Sequence, residues 1–503
     1  MSEDHLGKIE TAIPGFDFIT QGGLPENRLT LVAGTAGSGK TICAAQFLAR
    51  GIEEHGTPGV FVTFEEAADD VRRDMASFNW PIRRWEKEGK WAFVDASMGD
   101  SDENIVTGDF ELSALSARIR HAVERIGAGR VSIDSLAAVF LQFADATVIR
   151  RELLRTAFEL KHMGVTTLLT SERASDYGDL SRHGVEEFVA DAVIVLRNVL
   201  EEEKRRRTIE VFKMRGSGHT RGEVPFTIEA DHGMVVLPLS AMKLGQASSL
   251  ERIASGIDEL DEMCGGGFFR DSIIIVSGAT GTGKTLLSTE FVSGGAEAGE
   301  KSLLFAFEES RDQLFRNARG WGRDFKDFEE RDLLRLEAAY PESYGGLEDL
   351  QLYMKQVIQE WQPRRVVIDS LSAVERVGQD QDFREFVLGI TSYLKDHQIT
   401  GFFTSTATTL YGGDSISQGR ISTITDTILM LRYVEMDGQV RRGLTVLKMR
   451  GSAHNKQIRE FTIDGGGLSV GEPFRGVHGI LIGDPRVLEK SRSLEDTPDA
   501  EKI

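Results

Sequence analysis

Short apolar runs alternate along the chain with longer segments whose apolar positions recur at helical spacing. The runs at 29–32, 60–64, 131–133 and 166–169 have the length of β-strands, whereas residues 151–161 follow a helical period. Strands that are almost wholly apolar are typical of parallel sheets covered by helices on both faces. The pattern therefore predicts an α/β fold, in which parallel strands are connected by helices.

The last part of each half shows a different pattern. In residues 191–237, and again in 426–470, apolar and polar positions alternate along the chain. Because this alternation is typical of strands with one covered face, we expect antiparallel strands at the edge of the sheet.

The chain also repeats itself. The segment 33–41 (AGTAGSGKT) matches 277–285 (SGATGTGKT), and 61–66 (FVTFEE) matches 304–309 (LFAFEE), at offsets of 244 and 243 residues. Three further pairs of blocks continue the match at offsets near 235: RVSIDS at 130–135 with RVVIDS at 365–370, GVTTLLTS at 164–171 with QITGFFTS at 398–405, and FKMRGSGH at 212–219 with LKMRGSAH at 447–454. Matched blocks in the same order indicate duplicated domains.

The repeat fixes the expected domain organisation. The predicted domains are residues 1–243 and 251–480. They are joined by a small-residue linker at 244–250 and followed by a short acidic tail at 481–503.

Each half contains a glycine-rich loop of the form G-x-x-x-x-G-K-[ST], between an apolar strand and a helical segment. Glycines let the backbone N–H groups point at phosphate oxygens, the lysine reaches the β- and γ-phosphates, and the hydroxyl residue binds Mg²⁺. The sequence therefore predicts a nucleoside triphosphate site in each half. The predicted nucleotide-binding residues are Gly34, Thr35, Ala36, Gly37, Ser38, Gly39, Lys40 and Thr41, and Gly278, Ala279, Thr280, Gly281, Thr282, Gly283, Lys284 and Thr285.

An aspartate ends an apolar run in each half, at Asp134 and at Asp369. On a strand beside a phosphate loop, such a residue holds Mg²⁺ together with the hydroxyl of the loop, here Thr41 or Thr285. An aspartate after a strand is also a common helix N-cap, and the Ser-Leu that follows each one keeps this alternative open. We favour the metal-binding interpretation.

Two adjacent glutamates end the strand that follows each phosphate loop: Glu65 and Glu66 in the first half, Glu308 and Glu309 in the second. The carboxyl ends of parallel strands are where ligands bind, so these carboxylates are expected to approach the γ-phosphate and polarise an attacking hydroxyl or water. Solvated surface acids are the alternative. Their recurrence at the same strand end favours a catalytic role.

The motif K-M-R-G-S occurs at 213–217 and at 448–452, far in sequence from the phosphate loops. In ring-shaped ATPases such basic groups reach the phosphate held by the next subunit. A basic strand end at an exposed sheet edge is the alternative. The candidate residues are Lys213, Arg215, Lys448 and Arg450.

The two halves differ in front of the strand that opens with Asp191 or Asp426. The second half has Ser422 and Thr423 there, whereas the first half has Glu187 and Phe188. A hydroxyl pair in a loop is most often a polar turn or a helix cap. The asymmetry nevertheless suggests that one half hydrolyses nucleotide while the other also transfers phosphate to its own ring.

Composition narrows the class of function. The 503 residues include 59 Lys and Arg against 79 Asp and Glu, a formal net charge of −20 at pH 7. This acidity argues against a protein that coats nucleic acid. No run approaches the roughly 18 apolar residues of a spanning helix and the first residues lack signal-peptide features, so we expect a cytoplasmic protein with no membrane association.

From about residue 15 to residue 483, the chain resembles the KaiC family of circadian clock protein kinases and ATPases, within the RecA-like P-loop superfamily. The segments that carry the resemblance, beyond the phosphate loops, are 130–135, 185–207, 260–284 and 421–429. The resemblance implies two tandem RecA-like domains that bind ATP and Mg²⁺. It also implies a hexamer of two stacked rings, with ATP bound between neighbouring subunits in both rings.

The resemblance assigns different activities to the two domains. It implies slow ATP hydrolysis in the first ring, and autophosphorylation with dephosphorylation in the second. Ser422 and Thr423 match the adjacent phosphoacceptors of the family, and Ser417 falls at a nearby third hydroxyl position. Glu308 and Glu309 match its catalytic pair. Lys448 and Arg450 match residues that reach the phosphate from the adjoining subunit.

Two segments depart from the family pattern. After residue 477 the chain lacks the longer helical tail that family members offer to the partner KaiA, so KaiA binding is not expected. Residues 118–130, near the family's docking site for KaiB, are only loosely similar, which leaves a KaiB-like protein as a candidate partner without residue-level support.

Two alternative functions remain at this point. A DNA-dependent ATPase of the same fold would need a basic channel, which the net charge disfavours. A signalling scaffold would use its nucleotides only to hold the ring together, and would show neither ATP turnover nor phosphate incorporation.

Overall fold

The computed structural model describes residues 7–96, 109–135, 146–180, 186–201, 203–238, 248–406, 424–436, 438–478, 480 and 486–487. The chain divides into two compact units, Met1–Met242 and Lys243–Ile503. The predicted linker, 244–250, lies mostly outside the described residues and stays a prediction.

The N-terminal unit is built on a nine-stranded sheet in the order β11-β10-β9-β8-β3-β7-β6-β4-β5, beside a two-stranded sheet of β1 and β2. Its strands are β1 Lys8–Ile9, β2 Leu24–Pro25, β3 Leu29–Gly34, β4 Gly59–Thr63, β5 Trp91–Asp95, β6 Arg130–Asp134, β7 Thr166–Glu172, β8 Ala192–Glu201, β9 Lys204–Met214, β10 Glu223–Glu229 and β11 Gly233–Val236. Its described helices are Phe16–Ile19, Lys40–His55, Ala68–Asp74, Ile82–Lys87, Asp109–Ile126, Ala146–His162 and Glu186–Val189, with a 3₁₀ turn at Met75–Phe78.

The C-terminal unit repeats this plan, with a nine-stranded sheet in the order β16-β15-β17-β18-β14-β19-β20-β21-β22. Its strands are β12 Arg252–Ile253, β13 Phe268–Phe269, β14 Ile273–Gly278, β15 Ser302–Ala306, β16 Leu334–Ala338, β17 Arg365–Asp369, β18 Thr400–Thr406, β19 Thr427–Met436, β20 Gln439–Met449, β21 Arg459–Asp464, β22 Gly467–Pro473, β23 Val477–His478 and β24 Arg486–Val487. Its described helices are Asp258–Met263, Lys284–Glu297, Arg311–Gly320, Phe325–Glu330, Leu347–Trp361, Leu371–Glu375 and Asp380–Asp396, with a 3₁₀ turn at Pro341–Ser343.

The apolar runs of the sequence form the centre of each sheet. In β3, Val32 packs into the core on one face of the sheet, while Leu31 and Ala33 pack into the core on the other. All six residues of β3 are buried, and so are all six of β14. A strand covered on both faces has no exposed side, which explains why its sequence is apolar throughout rather than alternating.

The structure confirms the predicted fold class. Six neighbouring strands of each sheet are mutually parallel. They are β8, β3, β7, β6, β4 and β5 in the N-terminal unit, and β16, β15, β17, β18, β14 and β19 in the C-terminal unit. The edges formed by β8–β11 and β19–β22 are antiparallel, as the alternating segments predicted. In the described part of the chain, no helix is both long and apolar enough to cross a membrane.

The sequence of the basic run at 204–207 is compatible with a nucleic-acid patch but, because the run follows three glutamates, it favours a solvated turn. In the structure the run lies in the hairpin of β8 and β9. It forms the first residues of β9 rather than the turn, and pairs with residues 198–201 of β8. The Arg205 guanidinium donates a hydrogen bond to the backbone oxygen of Asn198, at 2.7 Å. The run is therefore part of the antiparallel edge.

Phe291 tests the packing of the C-terminal core. It is fully buried, and its ring stacks on Phe402 with centroids 4.8 Å apart. Replacing Phe291 by Ala should lower the free energy of unfolding by about 3–5 kcal/mol, because the cavity cannot be refilled. Urea unfolding of the full chain measures this change, with Tyr340→Ala, at a side chain that is 71% exposed, as the control. Equal losses in the two variants would contradict the packing described.

Candidate nucleotide and phosphotransfer site

Each glycine-rich loop lies at the carboxyl end of the central strand and leads directly into a long helix. The loop after β3 ends in the helix Lys40–His55, and the loop after β14 ends in Lys284–Glu297. Gly39 and Gly283, the residues before these helices, have φ of 92° and 109°, which is the left-handed region that favours glycine. The free N–H groups of the first helical turn therefore point towards the loop, as an anion site requires.

The lysine of each loop folds back over its own loop. Lys40 Nζ donates to the backbone oxygen of Thr35 at 3.0 Å, and Lys284 Nζ donates to the backbone oxygens of Gly278 and Ala279 at 2.9 and 3.1 Å. Burial lowers the pKa of Lys284, while the nearby carboxylates of Asp369 and Glu308 raise it. The ammonium group is thus held in the loop with acidic groups beside it.

Asp369 lies at the end of β17, next to the phosphate loop. Its carboxylate accepts hydrogen bonds from the Thr404 hydroxyl, at 2.5 Å, and from the hydroxyl of Thr285. Burial raises its pKa. The following helix is capped by Ser370, whose Oγ accepts from the backbone N–H of Ala373, so Asp369 is not the N-cap that the sequence left open.

Asp134 occupies the matching place at the end of β6. Its Oδ1 accepts from the Thr170 hydroxyl at 2.5 Å, just as Asp369 accepts from Thr404. In both halves the peptide bond after the aspartate is cis. The residues that would form a capped helix after Asp134 lie outside the described ranges, so the N-cap alternative is excluded only in the second half.

In the C-terminal unit, the side-chain oxygens beside the phosphate loop are suitable ligands for Mg²⁺. A buried carboxylate and a loop hydroxyl, Asp369 and Thr285, are already within hydrogen-bond contact. Mg²⁺ takes oxygen ligands and is commonly held by one or two protein groups plus substrate phosphates. In the described residues no group of three or more His, Cys, Asp and Glu forms a complete protein metal cage, so any magnesium here would depend on the nucleotide for further ligands.

The glutamate pair of the N-terminal unit follows β4. Glu65 Oε1 accepts a hydrogen bond from the Ser135 hydroxyl at 2.9 Å, which ties this carboxylate to the end of β6. Burial raises the pKa of Glu66, and the negative charges of Asp134 and Asp74 raise it further. The pair therefore lies beside the aspartate that was predicted to bind metal.

The glutamate pair of the C-terminal unit, Glu308 and Glu309, has different hydrogen-bond and ion-pair partners. Glu308 Oε1 lies 3.4 Å from Arg376 Nη2, and Glu309 Oε2 accepts from Asn317 Nδ2 at 2.8 Å. Burial raises the pKa of Glu309, and the charge of Asp369 adds to this. Glu308 also contributes to the electrostatic environment of Lys284. The structure thus brings the pair, the aspartate and the loop lysine into one acidic cluster.

The K-M-R-G-S segments lie at the opposite end of each sheet. Arg450 N donates to the backbone oxygen of Asp426, and Asp426 N donates to that of Ile273, the first residue of β14. Lys448 Nζ donates to the backbone oxygen of Thr425 at 2.8 Å. The phosphate loop begins at the other end of β14, so these basic groups do not meet the phosphate loop of their own chain.

The N-terminal unit has the same arrangement. Lys213 Nζ donates to the backbone oxygens of Glu187 and Ala190, at 2.7 and 2.9 Å. The Arg215 guanidinium donates to the backbone oxygen of Phe188 at 3.0 Å. Burial lowers the pKa of Lys213, and the charge of Arg215 lowers it further.

Ser422 and Thr423, the predicted acceptors, lie outside the described residues, as does Ser417. The described residues that follow them lie at the amino end of β14: the Asp426 carboxylate accepts a hydrogen bond from the backbone N–H of Ile273 at 2.9 Å, and the backbone oxygen of Thr425 accepts from Lys448. The phosphate loop begins about 16 Å away, at the carboxyl end of the six-residue strand.

Several contacts within the site were not predicted from the sequence. Ser135, Arg376 and Asn317 hold the glutamates, and Thr170 and Thr404 hold the aspartates. The aligned repeats could have drawn attention to the threonines, because they occupy matching positions in the blocks 164–171 and 398–405. Asn317 aligns with Asp74, so the repeats indicate a difference there but not its partner.

Comparison with known proteins identifies the family of the chain. The family model described as "ATPase: KaiC" matches residues 9–241 and again residues 253–474. The chain belongs to the KaiC family. It is 57% identical over 488 residues to the "Circadian clock protein KaiC3" of Synechocystis sp., covering 97% of this chain and 96% of that protein.

Two further KaiC relatives match over nearly their whole length. The "Circadian clock oscillator protein KaiC" of Thermostichus vulcanus is 52% identical, covering 96% of this chain and 93% of that protein. The protein of the same name from Synechococcus elongatus is 51% identical, covering 95% and 92%. Two KaiC ATPase domains make this chain an enzyme of the ATPase and kinase type, with ATP as its nucleotide.

The conformation of Gly283 provides a test of the nucleotide site. A Cβ added there would lie 3.1 Å from Ile463 Cδ1, and φ of 109° is strained for any other residue. Because left-handed backbone costs about 1–2 kcal/mol, Gly283→Ala should weaken ATP binding by the C-terminal domain about tenfold.

Titration with a fluorescent ATP analogue measures this affinity, in chains whose N-terminal loop carries Lys40→Ala. Gly320→Ala is the matched control, because a Cβ at Gly320 would meet nothing within 4 Å. If Gly283→Ala bound as tightly as the control, the loop conformation would not matter for binding.

Proposed function

We propose that this chain is a KaiC-like, ATP-dependent serine/threonine autokinase, autophosphatase and slow ATPase that acts as a homohexameric clock or signalling protein. The family membership supports ATP as the nucleotide. The differences between the two halves support a division of labour, with hydrolysis in the N-terminal domain and phosphate transfer in the C-terminal domain.

One observation supports assembly of subunits and the direction of transfer, while the number six comes from the resemblance to the family. The phosphate loop and the K-M-R-G-S segment of each domain lie at opposite ends of one sheet, and the acceptor pair is tied by a short stretch of chain to the K-M-R-G-S end. A single chain therefore cannot complete the site. Neighbours arranged in a ring would bring the carboxyl end of one sheet to the amino end of the next.

The proposed chemistry of the C-terminal domain follows from the groups at the two ends of its sheet. The loop 278–285 and Lys284 would bind the phosphates of ATP, and Thr285 and Asp369 would hold Mg²⁺, which neutralises phosphate charge. The hydroxyl oxygen of Ser422 or Thr423 from the neighbour forms a bond to the γ-phosphorus, as the bond from that phosphorus to the bridging oxygen of ADP breaks.

Glu308 or Glu309 would accept the hydroxyl proton. A carboxylate whose pKa is raised, as burial does for Glu309, is a better proton acceptor than an ordinary glutamate. Lys448 and Arg450 of the neighbour would balance the charge on the transferred group. In the N-terminal domain, Glu65 or Glu66 would activate water, and Lys213 and Arg215 would play the same balancing role beside Lys40, Thr41 and Asp134.

Partners and location follow from the family and the composition. We propose a cytoplasmic protein whose main partner is itself, with a KaiB-like protein as the candidate second partner. A KaiA-like partner is not proposed. Nucleic acid is not proposed as a ligand, given the net charge of −20.

Replacing Glu65 and Glu66 by Gln tests the division of labour. The side chains keep their size but lose the charge that activates water, so most ATP hydrolysis should disappear, by about a hundredfold for the N-terminal site. Phosphate incorporation at Ser422 and Thr423 should persist, because Glu308 and Glu309 are untouched. Both are measured with labelled ATP on the same preparation. Loss of both activities would refute the independence of the two domains.

Mixed rings test transfer between subunits. Chains with Lys284→Ala should not phosphorylate themselves, but their intact acceptors should receive phosphate from neighbours that carry Ser422→Ala and Thr423→Ala. The two species are given different masses, exchanged, and analysed for label after denaturation. Each species alone is the control, and neither should become labelled.

Transfer within one chain would give a different labelling pattern in the mixed rings. Transfer within one chain predicts no label on the Lys284→Ala species. Finding none, after subunit exchange has been demonstrated by mass, would overturn the intersubunit mechanism.

A further inference from the structure

The second glutamate of each pair has a different neighbour in the two domains. In the C-terminal domain, Asn317 Nδ2 donates a hydrogen bond of 2.8 Å to Glu309 Oε2. The repeat offset of 243 that aligns Glu309 with Glu66 also aligns Asn317 with Asp74. An amide that can donate is thus replaced by a carboxylate that, when ionised, can only accept.

Asn317 is carried by a well-anchored helix. The helix Arg311–Gly320 begins directly after Glu309, and Ser310 and Gln313 form a capping box at its start. Leu314 and Ala318 bury its inner face. Because the helix is fixed at its first turn and along its core side, the amide of Asn317 has a defined position from which to hold the carboxylate.

The corresponding helix of the N-terminal domain offers no such donor. The helix Ala68–Asp74 starts at Ala67 without a side-chain cap, and Asp70 stands where Gln313 stands in the second domain. In the described part of the chain, no side chain donates a hydrogen bond to the Glu66 carboxylate, whereas the charges of Asp134, Asp74, Asp70 and Glu65 act against its ionised form.

The arginines of this helix are directed to other acids. Arg73 pairs with Asp70 at 2.7 Å, and Arg72 pairs with Asp69 and Glu86 at 2.9 and 2.7 Å. In the second domain, the charged groups around Glu309 are Asp369, Glu308 and Arg316, and the Asn317 hydrogen bond favours its ionised form. Burial and a strand-end aspartate raise the pKa of both glutamates, but among the described residues only Glu309 is held by a side-chain donor.

We propose that Asn317 is a positioning residue for phosphate transfer, which orients the Glu309 carboxylate through its hydrogen bond. The N-terminal domain has Asp74 at the matching place and lacks this donor among its described residues. This inference rests on the proposed function, in which the glutamate pairs activate the attacking oxygen.

A change of charge at position 317 tests the proposal. Asn317→Asp keeps the shape of the side chain but replaces the donor by a charge, so the rate constant for phosphate incorporation should fall about tenfold. KM for ATP should stay within about twofold, since the phosphate loop is unchanged. The acid limb of the pH profile should move to higher pH, because an added negative charge raises the pKa of Glu309.

Two further variants exclude a merely structural effect. Asn317→Ala removes the donor without adding charge, so it should slow incorporation less than Asn317→Asp does. Asp312→Asn is the matched control, since Asp312 is an exposed acid on the same helix and is Asp69 in the other repeat. It should leave incorporation unchanged.

The possible failures are distinguishable. If the unmodified chain incorporates no phosphate, both the proposed function and this inference fail. If it incorporates phosphate but Asn317→Asp matches it in rate and pH profile, or loses activity through KM alone, only the inference is overturned.

Discussion

The direction of the central parallel strand constrains everything else in each domain. In β14 the carboxyl end leads into the phosphate loop, and the amino end is bonded to Asp426 and, through it, to the segment that carries Lys448 and Arg450. A parallel strand has only one carboxyl end, so nucleotide binding and the basic segment are separated by the length of the strand. On the proposed function, the reaction therefore requires assembly of subunits. A single subunit supplies the phosphate loop of one site and the basic segment of another, so it contains no complete site.

The two domains share the arrangement of the sheet and differ in the side chains around the glutamate pairs. Both sheets bury their central strands on two faces, and both hold an aspartate at a strand end through a threonine on the next strand, Thr170 or Thr404. These shared contacts fix the position of the nucleotide site. The differences are in groups that touch the glutamates, such as Ser135 in one half and Arg376 in the other. On the proposed function, the two domains thus differ in activity while they keep the same core.

The sequence was most informative where one residue type is needed for a backbone reason. The glycines at 39 and 283 adopt the positive φ that the loop motif implies, and the apolar runs form the buried strands. It was least informative for side-chain contacts between segments. Ser370 rather than Asp369 caps the helix because of where the chain turns after β17. The contact between Asn317 and Glu309 depends on the direction in which the helix Arg311–Gly320 runs from the end of its loop. Neither is encoded in a local pattern. The linker and the acceptor residues remain predictions.

The nature of the attacking group explains why similar sites would catalyse different reactions. Water can enter any site whose phosphate is exposed and needs no covalent delivery, whereas a side-chain hydroxyl must be brought to the phosphate by the backbone that carries it. In the N-terminal domain, the backbone oxygens of Glu187 and Phe188 are bonded by Lys213 and Arg215, and neither side chain bears a hydroxyl. On the proposed function, a neighbour there would contribute positive charge but no acceptor. Hydrolysis would then be the reaction left to the N-terminal ring, and Ser422 and Thr423 at the matching place would add phosphate transfer in the other.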